Sequence, residues 1–307
     1  VKKLNVLPDN PQPEEAEKVV KAGRFPPWLH RRLPAGNALW ETQKIVQANR
    51  LPTVCEEARC PNLLECWSKK TATFLAMGKA CTRNCGFCDI DFDRQPKTLE
   101  PDEPHRLALS VQQLELKHVV ITMVARDDLP DGGALHLTKI IQEVRRVNPE
   151  VTIEVLTSDF GGNREAIQMV LESRPDIYNH NLETVKSLTP RVRHKATYDR
   201  SLALLQQCSQ FNPTLRVKSG LMVGLGERVE EIKESLRDLK AVGCQIVTIG
   251  QYLQPNRHKL LVKSFVTPEQ FAQYAAYGKE IGIPYMYCGP FVRSSYNAAE
   301  VFNNTTI

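Results

Sequence analysis

Six of the chain's nine cysteines fall between residues 55 and 88, in two groups of three. Cys55, Cys60 and Cys66 read C-x4-C-x5-C, and Cys81, Cys85 and Cys88 read C-x3-C-x2-C. An odd cysteine count in a chain of 307 residues argues against a secreted disulfide framework. Close-spaced thiolates suit a metal, whose charge relieves their mutual repulsion. Structural zinc usually takes four protein ligands, often as paired knuckles, and each triplet is one short. A [4Fe–4S] cluster on three thiolates has one iron open to a substrate or another ligand. The zinc knuckle is the competing reading, and it competes better for the first triplet alone than for the second.

The second triplet lies in KACTRNCGFC, directly after the apolar run TATFLAMG at 71–78. A C-x3-C-x2-C loop after a first barrel strand resembles the motif of the radical S-adenosylmethionine (SAM) superfamily. That resemblance implies a [4Fe–4S] cluster on Cys81, Cys85 and Cys88 whose open iron chelates SAM. One electron then cleaves the sulfonium to a 5′-deoxyadenosyl radical, chemistry that belongs to the cofactor. The scaffold hosts many reactions, so the substrate must be read elsewhere.

VCEEARCPNLLECW, residues 54–67, resembles the auxiliary-cluster motif of lipoyl synthases. The likeness runs from about Arg24 to Ala298, through PPWL, RDDLPDGGA, NHNLETV, KSGLMVGLGE, IGQYLQP and GPFVRSSYNA. It implies a second [4Fe–4S] cluster on Cys55, Cys60 and Cys66, completed by a serine of the R-S-S-Y motif. That serine maps to Ser295, with Ser294 the neighbouring alternative. An alkoxide is a harder, less usual cluster ligand than a thiolate, so it can leave when its iron must be released. On this resemblance the first triplet lacks a fourth cysteine because serine completes it, and the second because SAM does.

The implied reaction inserts two sulfur atoms, at C6 and C8 of an octanoyl chain on a lysine of a carrier domain. It uses two SAM molecules and consumes the auxiliary cluster as sulfur source, so both clusters should face one cavity. The implied partners are octanoylated lipoyl domains of 2-oxoacid dehydrogenase acyltransferase subunits and the glycine cleavage H protein. A ferredoxin or flavodoxin-type donor and an iron–sulfur carrier for cluster repair complete the set. A biotin-synthase-like enzyme is the nearest rival, but it would lack both the first triplet and R-S-S-Y. A zinc-stabilised nucleic-acid binder is the rival from another class.

Other residues carry weaker signals. Arg126, Asp127 and Asp128 follow a strand and could hold polar parts of SAM, or equally form a helix entry or a rim salt bridge. Ala125 stands where the family often has an aspartate, and Gly161 of SDFGGN where many relatives have a bulkier residue. Asn181, Gly224 and Gly226 are further candidates for contact with SAM. VGLGERV lacks the third glycine of a dinucleotide loop and reads as a tight turn. His180, between two asparagines, suits structural hydrogen bonding at least as well as proton donation. Cys208, Cys244 and Cys288 read as packing residues.

These groups need a scaffold. Short apolar runs at 71–77, 118–124, 151–157, 176–181, 216–223 and 245–253 alternate with amphipathic segments at 134–147, 163–173, 199–210, 228–242 and 268–281. Strand–helix repeats imply a parallel sheet. Six units, with a further strand near IPYMY, predict an α/β fold, an incomplete (β/α)6 barrel; an open doubly wound sheet is the alternative. The expected division is an extension with the first triplet over 1–70, the partial barrel over 71–283, and a segment over 284–307 closing on the auxiliary cluster.

Composition sets the remaining bounds. The hydrophobic share of 42% suits a folded domain, and no apolar run reaches membrane-spanning length. The expectation is a cytoplasmic protein, or one of an organellar matrix or stroma if a transit peptide has been removed, with no membrane partner. A formal charge of +5 in short, scattered basic runs does not call for nucleic acid but suits an acidic protein partner.

Overall fold

The computed structural model describes residues 25–30, 38–69 and 71–295. Residues 1–24, 31–37, Lys70 and the chain from Tyr296 onward lie outside the described residues. Helices α1 (Ala38–Ala48), α2 (Val54–Glu57) and α3 (Leu63–Ser68) precede β1 (Thr73–Ala76). A short ladder, β2 (Ala80–Cys81) with β3 (Asp91–Phe92), brackets the second triplet. There follow α4 (Glu103–Gln113), β4 (His118–Met123), α5 (Ala134–Val147), β5 (Thr152–Leu156), α6 (Arg164–Glu172) and β6 (Ile177–Asn179). The chain continues through α7 (Thr189–Val192), α8 (Tyr198–Phe211), β7 (Arg216–Val223), α9 (Val229–Ala241), β8 (Ile246–Gln251), α10 (Pro268–Glu280) and β9 (Tyr285–Gly289).

Seven strands form one sheet in the order β1-β4-β5-β6-β7-β8-β9, and every ladder in it is parallel. All residues of β4 and β8 are buried, as strands covered on both faces require. Among the described residues β1 and β9 do not pair, yet Thr73 and Leu75 of β1 line the same cavity as Thr248 and Gly250 of β8. The sheet therefore curls into an incomplete barrel, and the flat doubly wound alternative falls. The five amphipathic segments read from the sequence are α5, α6, α8, α9 and α10, with Asn163, Thr197 and Thr267 as side-chain N-caps. Sequence reading passed over α4, whose buried Leu107, Ala108 and Val111 give only a narrow apolar stripe. No helix among the described residues is long and apolar enough to cross a membrane.

The segment carrying the first triplet shares the barrel's core. Val46, Leu51, Cys55 and Trp67 belong to the same buried cluster as Phe74 and Ile121. Thr53 bridges Phe74 antiparallel, and the Leu75 N–H donates to Pro52 O at 2.9 Å. The first triplet is thereby fixed to the edge of β1.

Glu154 and Lys218 lie two residues nearer the strand starts than Leu156 and Gly220, both of which line the cavity, so by strand alternation they sit on the same inner face beneath it. Lys218 Nζ meets Glu154 Oε1 at 2.9 Å, with both side chains fully buried, and Asn179 Nδ2 donates to the same oxygen at 2.9 Å. Burial pushes the Glu154 carboxyl up, but Lys218 and His118 beside it outweigh this and hold it near about 2. Removing one partner of such a pair leaves an uncompensated buried charge. Lys218→Met is expected to destabilise the fold by about 3–5 kcal/mol, whereas combining it with Glu154→Leu restores most of the loss. Denaturant midpoints of the single and double variants would decide it.

Candidate active site

A single cavity of about 610 Å³ opens inside the barrel. It is lined by all six cysteines of the two triplets, by Asn181, Glu183 and Arg193, and by Arg293, Ser294 and Ser295. The expectation that both triplets face one space is met in this lining. None of the nine cysteines forms a disulfide.

The second triplet emerges from β2, where sequence reading put it, just beyond the end of β1. Cys81 Sγ accepts from the N–H groups of Arg83 at 3.4 Å and Ala125 at 3.3 Å, and Cys85 Sγ from that of His194 at 3.4 Å. Backbone N–H groups aimed at sulfur stabilise thiolate character and tune a cluster held there. The loop itself is clamped by Arg83, whose guanidinium meets Asp127 at 2.7 Å and the fully buried Asp159 at 2.6 Å. Thr82 adds a bond from its hydroxyl to Ala125 O and accepts one from the Asp127 N–H.

The first triplet is wound by its own backbone. Thr53 caps α2, Cys60 N–H donates to Cys55 O at 3.0 Å, and Cys66 N–H to Asn62 O at 2.9 Å. Cys55 thus sits on α2, Cys60 at the turn and Cys66 on α3. Burial pushes the Cys55 thiol up to about 11 and the Cys66 and Cys88 thiols up to about 12. Neighbouring thiols of the same triplet add to each rise, so ionisation is favoured only where a cation takes the proton's place. The indole N–H of Trp67 is buried without a hydrogen-bond partner yet stands close enough to favour a thiolate at Cys55. This donor set fits an iron–sulfur cluster at each triplet. Among the described residues no three His, Cys, Asp or Glu converge on a single ion, a convergence that cluster ligands on separate irons do not need.

Ser294 and Ser295 reach the cavity because two strands carry glycines there. A Cβ on Gly250 would lie 2.0 Å from Val292 O, and one on Gly220 would lie 2.9 Å from Ser294 Oγ. Ser294 donates to Asn181 Oδ1 at 2.8 Å, and Asn181 donates onward to Glu183 Oε1 at 3.0 Å. Asn62, between two cysteines of the first triplet, donates to Phe291 O at 2.8 Å and ties that triplet to the same segment. With the Ser294 hydroxyl committed, that of Ser295 is the one with no hydrogen bond to another described residue. Sequence reading missed both glycines, although a glycine inside a strand signals close backbone approach.

The expected contacts of Arg126, Asp127 and Asp128 with SAM are not supported by their placement. None lines the cavity. Arg126 is buried and held by Asp128 at 2.7 and 2.8 Å, while Asp127 is spent on Arg83 and, at 3.7 Å, Lys195. Gly224 and Gly226 also fall outside the lining: with φ of 99° and 111° they form a turn closed by the Glu227 carboxylate on the N–H groups of Gly224 and Leu225. Of the non-cysteine candidates, His180, Asn181, Ser294 and Ser295 line the cavity. Asp159 was overlooked, and its only sequence signal is its position just beyond a strand end.

His180 has a structural place. Its Nδ1 lies 2.9 Å from Thr157 O, which can only accept, so Nδ1 carries the proton; Nε2 then accepts from Ser201 Oγ at 2.9 Å. Burial first, and Arg193 second, lower its pKa from 6.5 to about 4. The unfolded chain therefore binds a proton that the folded chain refuses, and folding stability should fall as pH drops from 6.5 toward 4. His180→Gln is expected to flatten that part of the stability–pH curve; an unchanged slope would assign the acid sensitivity elsewhere.

A family model described as the Radical SAM superfamily matches residues 75–239. The chain is 67% identical over 299 residues to the lipoyl synthase of Protochlamydia amoebophila, covering 97% of this chain and 92% of that one. It is 53% identical to the lipoyl synthase of Chlamydia muridarum, covering 96% of each. Among solved structures, HydG, a maturase of the [FeFe]-hydrogenase, superposes with a TM-score of 0.54 at 14% identity, over 90% of this chain and 66% of that one. Methylornithine synthase (PylB) gives 0.52 at 13% identity, over 92% and 89%. At those identities the two structures show the fold alone.

Proposed function

Because the chain belongs to the lipoyl synthases of the radical SAM superfamily, which insert two sulfur atoms into a protein-bound octanoyl-lysine, we propose how its residues divide that reaction. Superfamily membership implies a [4Fe–4S] cluster and SAM. Cys81, Cys85 and Cys88 would hold that cluster, and Cys55, Cys60, Cys66 and Ser295 a second. When bound, these groups supply one-electron cleavage of SAM and the sulfide that enters the substrate. The observation that carries the assignment is the common cavity: both triplets and Ser295 line it.

The residues of the chain do the positioning. Leu75, Leu156, Leu221 and Met222 give the cavity an apolar wall suited to an octanoyl chain. Glu183 and Arg193 are charged lining groups suited to the charged ends of SAM, whereas Arg126, Asp127 and Asp128 do not line the cavity. Burial raises the Glu183 carboxyl and lowers the Arg193 guanidinium, so each gains from a bound group of opposite charge. Arg83, Asp127 and Asp159 hold the loop of the second triplet in register with β4 and β5. Octanoylated lipoyl domains of acyltransferase subunits or of the glycine cleavage H protein are the proposed substrates. A cytoplasmic setting, a ferredoxin or flavodoxin-type donor and an iron–sulfur carrier that rebuilds the second cluster belong to the same proposal.

The test is the intact mass of an octanoylated lipoyl domain after anaerobic incubation with reconstituted enzyme, excess SAM and dithionite. A gain of two sulfurs is expected. Formation of 5′-deoxyadenosine with no change in carrier mass would retain the radical chemistry and remove the proposed carrier.

A further inference from the structure

Two loops at the cavity rim are free of carboxylates: residues 184–198 and residues 252–268 contain no Asp or Glu. They meet on the loop of the second triplet. Gly86 N–H donates to Val192 O at 2.9 Å and Gly86 O accepts from Leu260 N–H at 2.9 Å. A Cβ on Gly86 would lie 2.9 Å from the Leu260 side chain, so the two loops pack closely there. Beneath them Val192, Tyr252, Phe87 and Leu260 pack into a small apolar cluster of their own.

The outer side of this junction is basic. Arg191, His194, Lys195, Arg257 and His258 are exposed, and Lys259 Nζ reaches the exposed Asn84 at 3.3 Å. Arg191 and Arg257 have no acidic partner among the described residues, while Lys195 is partly matched by Asp127. The nearby carboxylate Asp89 is occupied by Arg59 at 2.9 Å. Asp91 and Asp93, both exposed, flank Phe92, whose ring meets that of His194 at 6.4 Å, and mark the edge of the basic area. His194 is exposed, yet its N–H donates to Cys85 Sγ. One residue's thickness of backbone separates solvent from a sulfur of the second triplet.

We propose that this basic ridge is the docking surface for a small acidic one-electron carrier protein that reduces the cluster held by Cys81, Cys85 and Cys88. The inference rests on the cluster assignment above. Electron transfer between proteins weakens steeply with distance, and at the exposed His194, whose N–H donates to Cys85 Sγ, a docked donor comes within one residue of a sulfur of the second triplet. A one-signed patch around that point also steers an acidic partner and orients it on arrival. Arg191, His194, Lys195, Arg257 and His258 do not line the cavity, so a donor held by them need not enter it.

The experiment compares two reductants on reconstituted holoenzyme, reading 5′-deoxyadenosine and lipoyl product. With reduced flavodoxin, Arg191→Glu/Arg257→Glu is expected to lower the rate about tenfold or more. With dithionite, which needs no docking, the same variant should stay within about twofold of wild type. Arg191→Gln/Arg257→Gln should lie between, and raising salt from about 0.05 to 0.5 M should slow the flavodoxin-driven reaction of wild type selectively. An unchanged flavodoxin-driven rate in both variants overturns the proposal. So does a raised KM for the octanoylated domain under dithionite with flavodoxin unaffected, which would make the ridge the carrier's dock, or retention of RNA by the ridge with flavodoxin unaffected. Equal loss with both reductants in the milder Gln variant also overturns it, by placing the arginines in the active site. If wild type made no 5′-deoxyadenosine even with dithionite, the cluster assignment would fail, not the docking surface.

Discussion

Cys85→Ala is expected to abolish formation of 5′-deoxyadenosine, whereas Cys60→Ala is expected to leave it measurable and abolish sulfur insertion. The two residues line one cavity, but they belong to separately built loops. Cys85 is held through the Gly86, Val192 and His194 backbone, and Cys60 through α2, α3 and Asn62. Among the described residues no hydrogen bond runs from one loop to the other's sulfurs, so the loss of one ligand set should not dissolve the other. Iron per chain should fall by about half in each variant, because a cluster that loses a thiolate ligand is not retained. Both variants should keep the wild-type denaturation midpoint when compared without iron. Lipoyl product from Cys60→Ala would end the proposed division of labour.

Gly250→Ala should reproduce much of the Cys60→Ala phenotype without touching a ligand. The added methyl would sit 2.0 Å from Val292 O, and backbone cannot yield there without moving Arg293, Ser294 and Ser295. Supporting groups of a metal site typically contribute about 10- to 100-fold to affinity or activity, and sulfur insertion should drop by that factor. SAM cleavage under dithionite should change little, since Cys81, Cys85 and Cys88 are held by other contacts. Ser295→Ala should show the same split, and Ser294→Ala a milder one if its hydroxyl only positions the segment through Asn181. Equal loss of cleavage and insertion in Gly250→Ala would mean that the segment shapes the whole cavity and not the second cluster's site alone.

Much of this was legible in the chain. The thiol triplets are local, each confined to a few turns of backbone, so their spacing shows in the sequence. The helices α5, α6, α8, α9 and α10 advertise themselves by a 3.6-residue apolar period with capping residues, and the strands by short apolar runs. Function followed from the resemblance that these motifs carry, which local spacing makes visible in the sequence. The contacts that make the triplets one site are of another kind. Ser294 meets Asn181 across 113 residues and Asn62 meets Phe291 across 229. The slot at Gly220 and Gly250, the Arg83–Asp159 clamp and the basic ridge over Cys85 join positions with no shared period. For Arg126, Asp127 and Asp128 the sequence left SAM contact and a rim salt bridge equally open for the same reason: sequence shows that charges are present, and only packing shows which charge already answers which. Local spacing determined what this protein can bind; the closure of the sheet into a partial barrel decided what those groups face, because only three-dimensional packing brings remote backbones into contact.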